Sequence, residues 1–216
     1  MRVIRLIHRW TGLIIGLFFF ISCLSGLLIV VGKIIGSYAP IFKFATRLHL
    51  TLFLNKAGHD IIGIATLLAL VEIVTGYWIW GKMTASWVKS MRKKGQSGLA
   101  AVGKVIGFRF PNPISGLHNG AGLWGGLPLL IMILTGLTWS FGWYSEIVYA
   151  LFDTGASGSQ NNNLFHTLHA LHVGSWEGLF SRLLWAAATL AGATLPVTGL
   201  MIYLRRRPHM RTGKRD

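Results

Sequence analysis

Four long apolar stretches constrain this chain more than any other feature of its sequence. They cover roughly residues 10–31, 60–80, 119–141 and 183–204. Each is long enough to cross the hydrocarbon core of a bilayer as a helix, which takes about 20 residues. Only 12% of the residues are charged, about half the proportion found in soluble domains. The sequence therefore predicts an all-α membrane protein, with a four-transmembrane-helix bundle in one integral membrane domain over residues 1–216.

The first and third stretches begin with the same pattern. Residues 8–16 and 118–126 both fit H-x-x-x-G-L-x-x-G, and a glycine follows each histidine at an interval of eighteen, at Gly26 and Gly136. Repeats of this kind are typical of duplicated units.

The second and fourth stretches repeat in the same way. A Leu-His pair precedes each of them, and a Val-Thr-Gly sequence ends with a glycine twenty-seven positions after the histidine; the two pairs are His49 with Gly76 and His172 with Gly199. We therefore expect two duplicated helical hairpins, repeat one at about 1–81 and repeat two at about 118–204. A basic cytoplasmic loop over 82–117 would join them, and 205–216 would form a tail.

Basic residues predict the orientation of the bundle. Sixteen of the 21 Lys and Arg residues lie before the first stretch, between the second and third, or after the fourth. Cationic loops stay in the cytoplasm, so both termini are predicted to be cytoplasmic. The net charge of +15 then reflects topology and contact with anionic lipid, and no nucleic acid is expected as a partner.

Two connecting segments also carry predictions. Residues 42–55 resemble a short helix lying in the membrane interface, with His49 on it, and Asn55 to Gly58 would break the chain before the second span. Residues 155–163, rich in Gly, Ser and Asn, predict a flexible connector.

Small residues follow the first histidine of each repeat on one helix face. At about 100° per residue, a histidine and the glycines four and eight positions later lie close together; the two sets are His8, Gly12 and Gly16, and His118, Gly122 and Gly126. One interpretation is close packing of helices through small residues. The other is a slot for a flat cofactor, packed against the glycines and held by the histidine.

The four duplicated histidines suggest that cofactor. His8 and His118 begin helices at the cytoplasmic face, whereas His49 and His172 precede helices at the outer face. Neutral imidazole binds iron well, and two imidazoles can hold a haem from opposite sides. The sequence thus predicts two haem b groups per chain with these four residues as axial ligands. His169 also follows a leucine, so it is an alternative outer ligand.

Two other features leave alternatives open. His166, His169 and His172 are spaced by three, which would suit a zinc or copper site in a haem-free membrane scaffold or metal-permeation protein. Glu72 lies inside the second stretch, where a carboxylate is costly. It is a candidate for a proton path, or it bonds a neighbouring Thr or Trp.

Taken together, these sequences resemble the PepSY-associated transmembrane family. The resemblance rests on H-N-G-A-G-L-W-G-G-L-P from His118, and on L-H-V-G-x-x-E-G-x-x-x-R-L-L-W followed by V-T-G and the arginine cluster. It covers all four helices and maps the family's helix-start histidines onto His8, His49, His118 and His172. Members often carry a large extracytoplasmic PepSY domain in the first outer loop. That loop, residues 32–57, is short here, so the chain resembles a short form without that domain.

The resemblance implies a function. Members are iron-regulated inner-membrane proteins, and some are haem-containing ferric-siderophore reductases. We therefore expect a multi-pass oxidoreductase of the bacterial inner (cytoplasmic) membrane. It would be a di-haem b-type electron-transfer protein that takes electrons from a cytoplasmic reductase or quinol and passes them to ferric siderophore iron outside. A closer alternative retains the haems but serves a periplasmic redox partner.

Overall fold

A computed structural model describes residues 1–37, 39–106, 112–152 and 159–205, and nearly all of them are helical. The described elements, in chain order, are α1 (Arg2–Ile35), α2 (Pro40–Thr51), α3 (Asn55–Lys93), α4 (Gly98–Ile106), α5 (Pro113–Ser140), α6 (Gly142–Phe152), α7 (Ser159–Val173) and α8 (Gly178–Arg205). No strand occurs in these ranges, so the predicted all-α class is confirmed.

Four of the helices, α1, α3, α5 and α8, are long and apolar enough to cross a membrane. Their outer surfaces carry large apolar side chains, such as Ile14 at 69% exposure and Leu17 at 66%. In water such a surface would be unfavourable, whereas in lipid it is solvated. The prediction of four membrane-spanning helices is therefore confirmed.

The four spans form a closed ring in which α1 contacts α3 and α8, and α5 contacts the same two helices. Helices α1 and α5 are thus diagonal to one another, as are α3 and α8. The short helix α2 packs on α1 and α3, and α7 packs on α5. This arrangement matches two hairpins of equal design, because each short helix lies beside the first span of its own half.

We call the two ends of the bundle the terminal face and the distal face. The terminal face carries the start of α1 and α5 and the end of α8. The distal face carries the end of α1, the two short helices α2 and α7, and the start of α8. Between the faces, apolar side chains of α1, α3 and α5 pack into a buried cluster that includes Ile15, Ile133 and Leu137.

Local sequence explains where several helices begin and end. The Asn112 side chain accepts a hydrogen bond from the backbone N–H of Ile114 at 3.0 Å, and Pro113 occupies the first turn of α5, where a missing N–H costs nothing. At the other end of α1, Gly36 adopts φ 64°, the left-handed conformation that commonly ends a helix.

The turn before α3 differs from the prediction. The chain turns at Leu52 to Leu54 and α3 already begins at Asn55; Leu52, Phe53 and Asn55 all have positive φ. The expected break at Asn55 to Gly58 was therefore wrong. Gly58 instead permits close approach of α2, since an added Cβ would overlap the Thr51 carbonyl oxygen.

The basic segment between the second and third spans is also more ordered than predicted. Helix α3 has 39 residues and extends for about 58 Å, so its last turns project beyond the membrane at the terminal face. Residues 82–93 therefore continue the helix rather than start a loop. Residues 107–111, 153–158 and 206–216 lie outside the described residues, as does the first part of the predicted connector; residues 159–163 already belong to α7.

Candidate functional site: two histidine pairs

The terminal face holds the first pair of histidines. His8 on α1 and His118 on α5 come from diagonal helices, and their side chains meet across the bundle. Their ring centres lie 6.3 Å apart and the ring planes differ by 75°. The pairing that the duplication predicted at this face is therefore present in the structure.

The distal face holds the second pair, which comes from the two short helices. His49 on α2 and His172 on α7 place their ring centres 6.4 Å apart, with a plane angle of 52°. Because α2 packs on α1 and α7 packs on α5, this pair also bridges the diagonal of the bundle. Its geometry repeats that of the terminal pair to within 0.1 Å in separation.

Each of the four rings is held through Nδ1 by a hydroxyl side chain. In each case the hydroxyl belongs to the residue immediately before the glycine that ends the repeated sequence pattern. The contacts are His8 with Thr75 at 3.0 Å, His49 with Ser25 at 3.1 Å, His118 with Thr198 at 2.9 Å and His172 with Thr135 at 3.2 Å. The repeated Ser/Thr-Gly pairs therefore act as supports for the histidines.

These contacts assign the tautomer of each ring. Thr198 donates its hydroxyl proton to the Thr194 carbonyl at 2.7 Å, so its oxygen is left to accept from Nδ1–H of His118. At the distal pair, Nδ1 of His172 lies 2.9 Å from the Met132 carbonyl oxygen, which can only accept. Nδ1 therefore carries the proton, and Nε2 keeps the lone pair that binds a metal.

The same chemistry holds for the other two rings. Nδ1 of His49 lies 3.0 Å from the carbonyl oxygen of Ser22, and Thr75, the support of His8, donates to the Val71 carbonyl at 2.7 Å. A hydrogen bond from the second nitrogen of a ligating histidine is the usual way in which proteins orient that ligand. In all four histidines the Nε2 lone pair is therefore available for a metal.

The glycine of each supporting pair leaves room for the ring. An added Cβ would lie 3.4 Å from Cε1 of His49 at Gly26 and 3.3 Å from Cε1 of His8 at Gly76. The corresponding distance is only 3.0 Å between Gly136 and His172. Larger residues at these positions would push the imidazole away from the hydroxyl that supports it.

The distal pair lies in surroundings that keep both imidazoles neutral. Burial lowers the pKa of His172 to about 4, and the nearby His49 adds to the shift. Burial also lowers the pKa of His49, against an opposing hydrogen bond to Ser22. Neutral imidazole is the form that donates a lone pair to a metal, so at neutral pH no proton has to leave before binding.

The spacing of the pairs fits one iron between two imidazoles. In such a complex the ring centres would be about 6.4 Å apart, because each nitrogen would lie about 2.0 Å from the metal and lies about 1.2 Å from its ring centre. The observed separations are 6.3 and 6.4 Å. Rotation of a ring about its bond to the metal leaves this distance unchanged, so both plane angles are compatible. The residues present fit a haem held by two histidines at each face.

The glycines that follow His8 and His118 contact neighbouring helices. An added Cβ at Gly12 would lie 3.0 Å from Glu72 Oε2, and one at Gly16 would lie 3.4 Å from Pro196. In the second half, an added Cβ would lie 3.7 Å from Leu195 at Gly122 and 2.6 Å from the Tyr77 hydroxyl at Gly126. These four glycines therefore bring the spans together, and their role in haem packing stays a prediction.

Glu72 distinguishes the two halves of the terminal pair. Its Oε2 lies 3.0 Å from Nδ1 of His8, so His8 has a carboxylate neighbour as well as Thr75. The interval that relates His49 to His172 places Leu195 at the corresponding position beside His118. Oε1 of Glu72 is buried without a hydrogen-bond partner among the described residues.

The other histidines that the structure describes, His59, His166 and His169, lie outside the pairs. His169 packs on Trp139 and stacks on Phe165, so the structure brings His172, and not His169, to His49. His166 is exposed, and His59 approaches the Trp139 carbonyl with Nε2 at 3.1 Å. Within the described ranges no three His, Cys, Asp or Glu side chains form a group that could hold a metal, so the spacing of three does not assemble such a site.

Sequence analysis missed two residues that fix His172. The indole N–H of Trp185 donates to the His172 carbonyl at 3.1 Å, and the Ser181 hydroxyl donates to the Gly174 carbonyl at 2.7 Å. Both side chains are almost fully buried. Trp185 ends the R-L-L-W sequence thirteen residues after His172, and its place in that motif is the signal that could have linked it to His172.

The fold and its paired histidines define a class: a multi-pass membrane protein with a two-histidine site at each end of a four-helix bundle. A family model described as the PepSY-associated TM region matches residues 30–164 and 151–206, and the chain belongs to that family. Membership indicates a membrane protein of the iron-regulated type. No curated protein and no solved structure matches the chain.

Proposed function

We propose that the protein is a di-haem b-type electron-transfer protein of the bacterial inner membrane. The observation that carries this proposal is the separation of 6.3 and 6.4 Å between the paired imidazoles, with Nδ1 of every ring engaged by a hydroxyl. When bound, haem supplies an Fe(III)/Fe(II) couple that accepts and donates one electron. His8 and His118 would hold one haem, and His49 and His172 the other.

The positions of the pairs suit transfer across a membrane. On α1, His8 and the Ser25 support of the distal pair are seventeen residues apart, which is about 26 Å of helix. The hydrocarbon core is about 30 Å thick. The pairs thus lie near opposite faces, and each side of the membrane would be within reach of one redox group.

The electron balance identifies the classes of donor and acceptor. A quinol releases two electrons and two protons, and each electron reduces one Fe(III) ion in a chelate to Fe(II); a cytoplasmic reductase is the alternative donor. We propose a ferric siderophore as the acceptor at the distal face, with both termini in the cytoplasm. The family's iron-regulated character supports an iron substrate, and the cationic terminal face supports the orientation.

The primary test is the haem content of the purified protein. We expect dithionite-reduced minus oxidised spectra of a b-type cytochrome and about two haems per chain by pyridine haemochrome assay. His8→Ala or His118→Ala should remove one haem and leave the other, as should His49→Ala or His172→Ala. His169→Ala is the matched control, since this ring lies outside the pairs, and it should keep both haems.

Two results would contradict the proposal. Absence of a Soret band in protein expressed with sufficient haem would exclude haem binding. Full haem content in all four single variants would exclude these ligands. If the reduced haems are oxidised by a periplasmic redox protein but not by ferric chelates, the electron-transfer function stands and ferric reduction does not.

A further inference from the structure

A cavity of about 430 Å³ opens at the distal face. It lies between the end of α1, helix α2, the end of α7 and the start of α8. Its lining includes three cationic side chains, Lys33, Lys43 and Arg182, together with His169 and Ser175. The volume is within the range of small-molecule sites, about 300–1,000 Å³.

The cavity has no anionic side chain in its lining, and its cations are unpaired. In the part of the chain that the structure describes, the ion pairs are those of His8 with Glu72 and His59 with Asp60. Arg182 donates from Nη1 to the Lys33 carbonyl oxygen at 3.0 Å, while its Nε is buried without a hydrogen-bond partner. A buried donor of this kind is costly unless something binds it.

General rules of helix electrostatics do not account for the cluster. A lysine in the last turn of a helix is favourable, which explains Lys33 alone. Arg182 follows the first turn of α8, where the helix dipole does not favour a cation. Three unpaired cations around one cavity also repel one another. An anion in the cavity would accept a hydrogen bond from Arg182 and reduce the repulsion among the three cations.

The duplication shows that the cluster occurs at only one of the two positions that the repeats make equivalent. Two intervals relate the repeats, 110 residues from His8 to His118 and 123 residues from His49 to His172. The first makes Trp143 the counterpart of Lys33, and the second makes His166 and His59 the counterparts of Lys43 and Arg182. None of these counterparts carries a permanent charge, so the architecture itself does not need the cations. The charged cavity is a feature added to a symmetric bundle.

The cavity also lies close to the distal histidine pair. His169 lines it and precedes His172 by one turn of α7. Lys33 is near enough to His169 to contribute to the lowering of its pKa, for which burial is the larger cause. A molecule in the cavity would therefore lie beside the distal redox site.

We propose that this cavity binds a small molecule carrying several carboxylate or phosphate oxygens, held by Lys33, Lys43 and Arg182. Arg182 presents a planar set of donors suited to such oxygens. The role of this molecule rests on the proposed function: an anionic Fe(III) chelate bound here would receive one electron, become the Fe(II) chelate and leave. Anionic lipid headgroups share the same oxyanion chemistry, so the test separates the two sources.

The test measures binding of citrate, ferric citrate and inorganic phosphate to the full chain in nanodiscs, by calorimetry without reductant. In zwitterionic lipid we expect saturable binding of citrate. Lys43→Gln and Arg182→Gln should each weaken it at least about tenfold. Lys56→Gln, a cation of the same face outside the cavity, should leave it unchanged.

The lipid composition then identifies the source of the anion. If citrate binds equally well in nanodiscs with anionic lipid, the occupant is a soluble molecule. If anionic lipid competes through the same two residues, the occupant is a headgroup. Absence of citrate and phosphate binding in zwitterionic lipid, or binding that the two variants do not weaken, overturns the inference.

Haem content separates this result from that of the proposed function. Both glutamine variants should retain the spectrum of the parent protein, because neither residue touches a paired histidine. A protein with two haems and no anion binding refutes the cavity alone. A protein that binds citrate through Lys43 and Arg182 but contains no haem refutes the electron-transfer proposal and leaves the anion site intact.

Discussion

The contact between Glu72 and His8 predicts that the two proposed haem sites differ in reduction potential. A carboxylate acceptor makes the bound imidazole a stronger electron donor, and this favours the oxidised, more positive state of the iron. At the 3.0 Å observed between Oε2 and Nδ1, a hydrogen bond to a charged group contributes about 1.5–3 kcal/mol. If the hydrogen bond stabilises the oxidised state alone by about 1.5 kcal/mol, the reduction potential falls by about 65 mV, because a tenfold change in the equilibrium constant corresponds to about 59 mV for one electron.

The assay is an optical redox titration of the purified protein. Glu72→Leu, which installs the residue found at the corresponding position beside His118, should raise one midpoint potential by about 65 mV and leave the other in place. Glu72→Gln keeps the shape and an acceptor, so a smaller rise is expected. Glu146→Gln, an exposed carboxylate of α6, is the control. Unchanged potentials in a Glu72→Leu protein with full haem content would refute the argument.

Two further predictions concern the supports of the histidines. Gly136→Val should lose the distal haem and retain the terminal one in a pyridine haemochrome assay, because even an added Cβ lies 3.0 Å from Cε1 of His172. The control is Gly142→Val, which should retain both haems because there is open space around Gly142. Equal haem loss in the two variants would contradict the steric reason. Thr198→Val should weaken haem binding at His118 by about 10–100-fold in haem-transfer titrations to apomyoglobin, whereas Thr198→Ser keeps the hydroxyl and should bind as the parent does.

Sequence analysis could predict the histidine pairs because duplication repeats both the ligand and its support. The Ser/Thr-Gly pairs recur at fixed intervals from His8, His49, His118 and His172, and a helix converts a fixed interval into a fixed position. In the sequence, the supports are visible only as a repeated interval. Their hydrogen bonds join residues on different helices, such as Thr198 with His118 eighty positions apart, and a periodic pattern within one helix cannot show that.

Other features could not be predicted for the same physical reason. The turn at Leu52 to Leu54 places non-glycine residues at positive φ, which local preference disfavours and close packing of α2 on α3 maintains. The extension of α3 to Lys93 depends on the helix propensity of residues outside the membrane. A hydropathy pattern predicts only the apolar part of the helix that crosses the membrane. The distal cavity draws Lys33, Lys43 and Arg182 from three helices, so no sequence pattern connects them.

The bundle is symmetric in its supports but asymmetric in its charges, and this gives the molecule a direction. Each histidine has a Ser or Thr hydroxyl and a glycine at corresponding positions, so duplication alone would yield equivalent halves. Glu72 replaces a leucine at the terminal pair, and Arg182 replaces a histidine beside the distal cavity. A negative group would lower the potential of the proposed haem at one face, while cations at the other face would attract an anionic acceptor. Both changes favour electron flow from the terminal face to the distal face, as the proposed reduction of an external acceptor requires.

Exchange of Glu72 and Leu195 should leave both midpoint potentials nearly unchanged, because the carboxylate would then act on His118 of the same pair. A variant with leucine at both positions 72 and 195 should have a higher value of the lower midpoint potential.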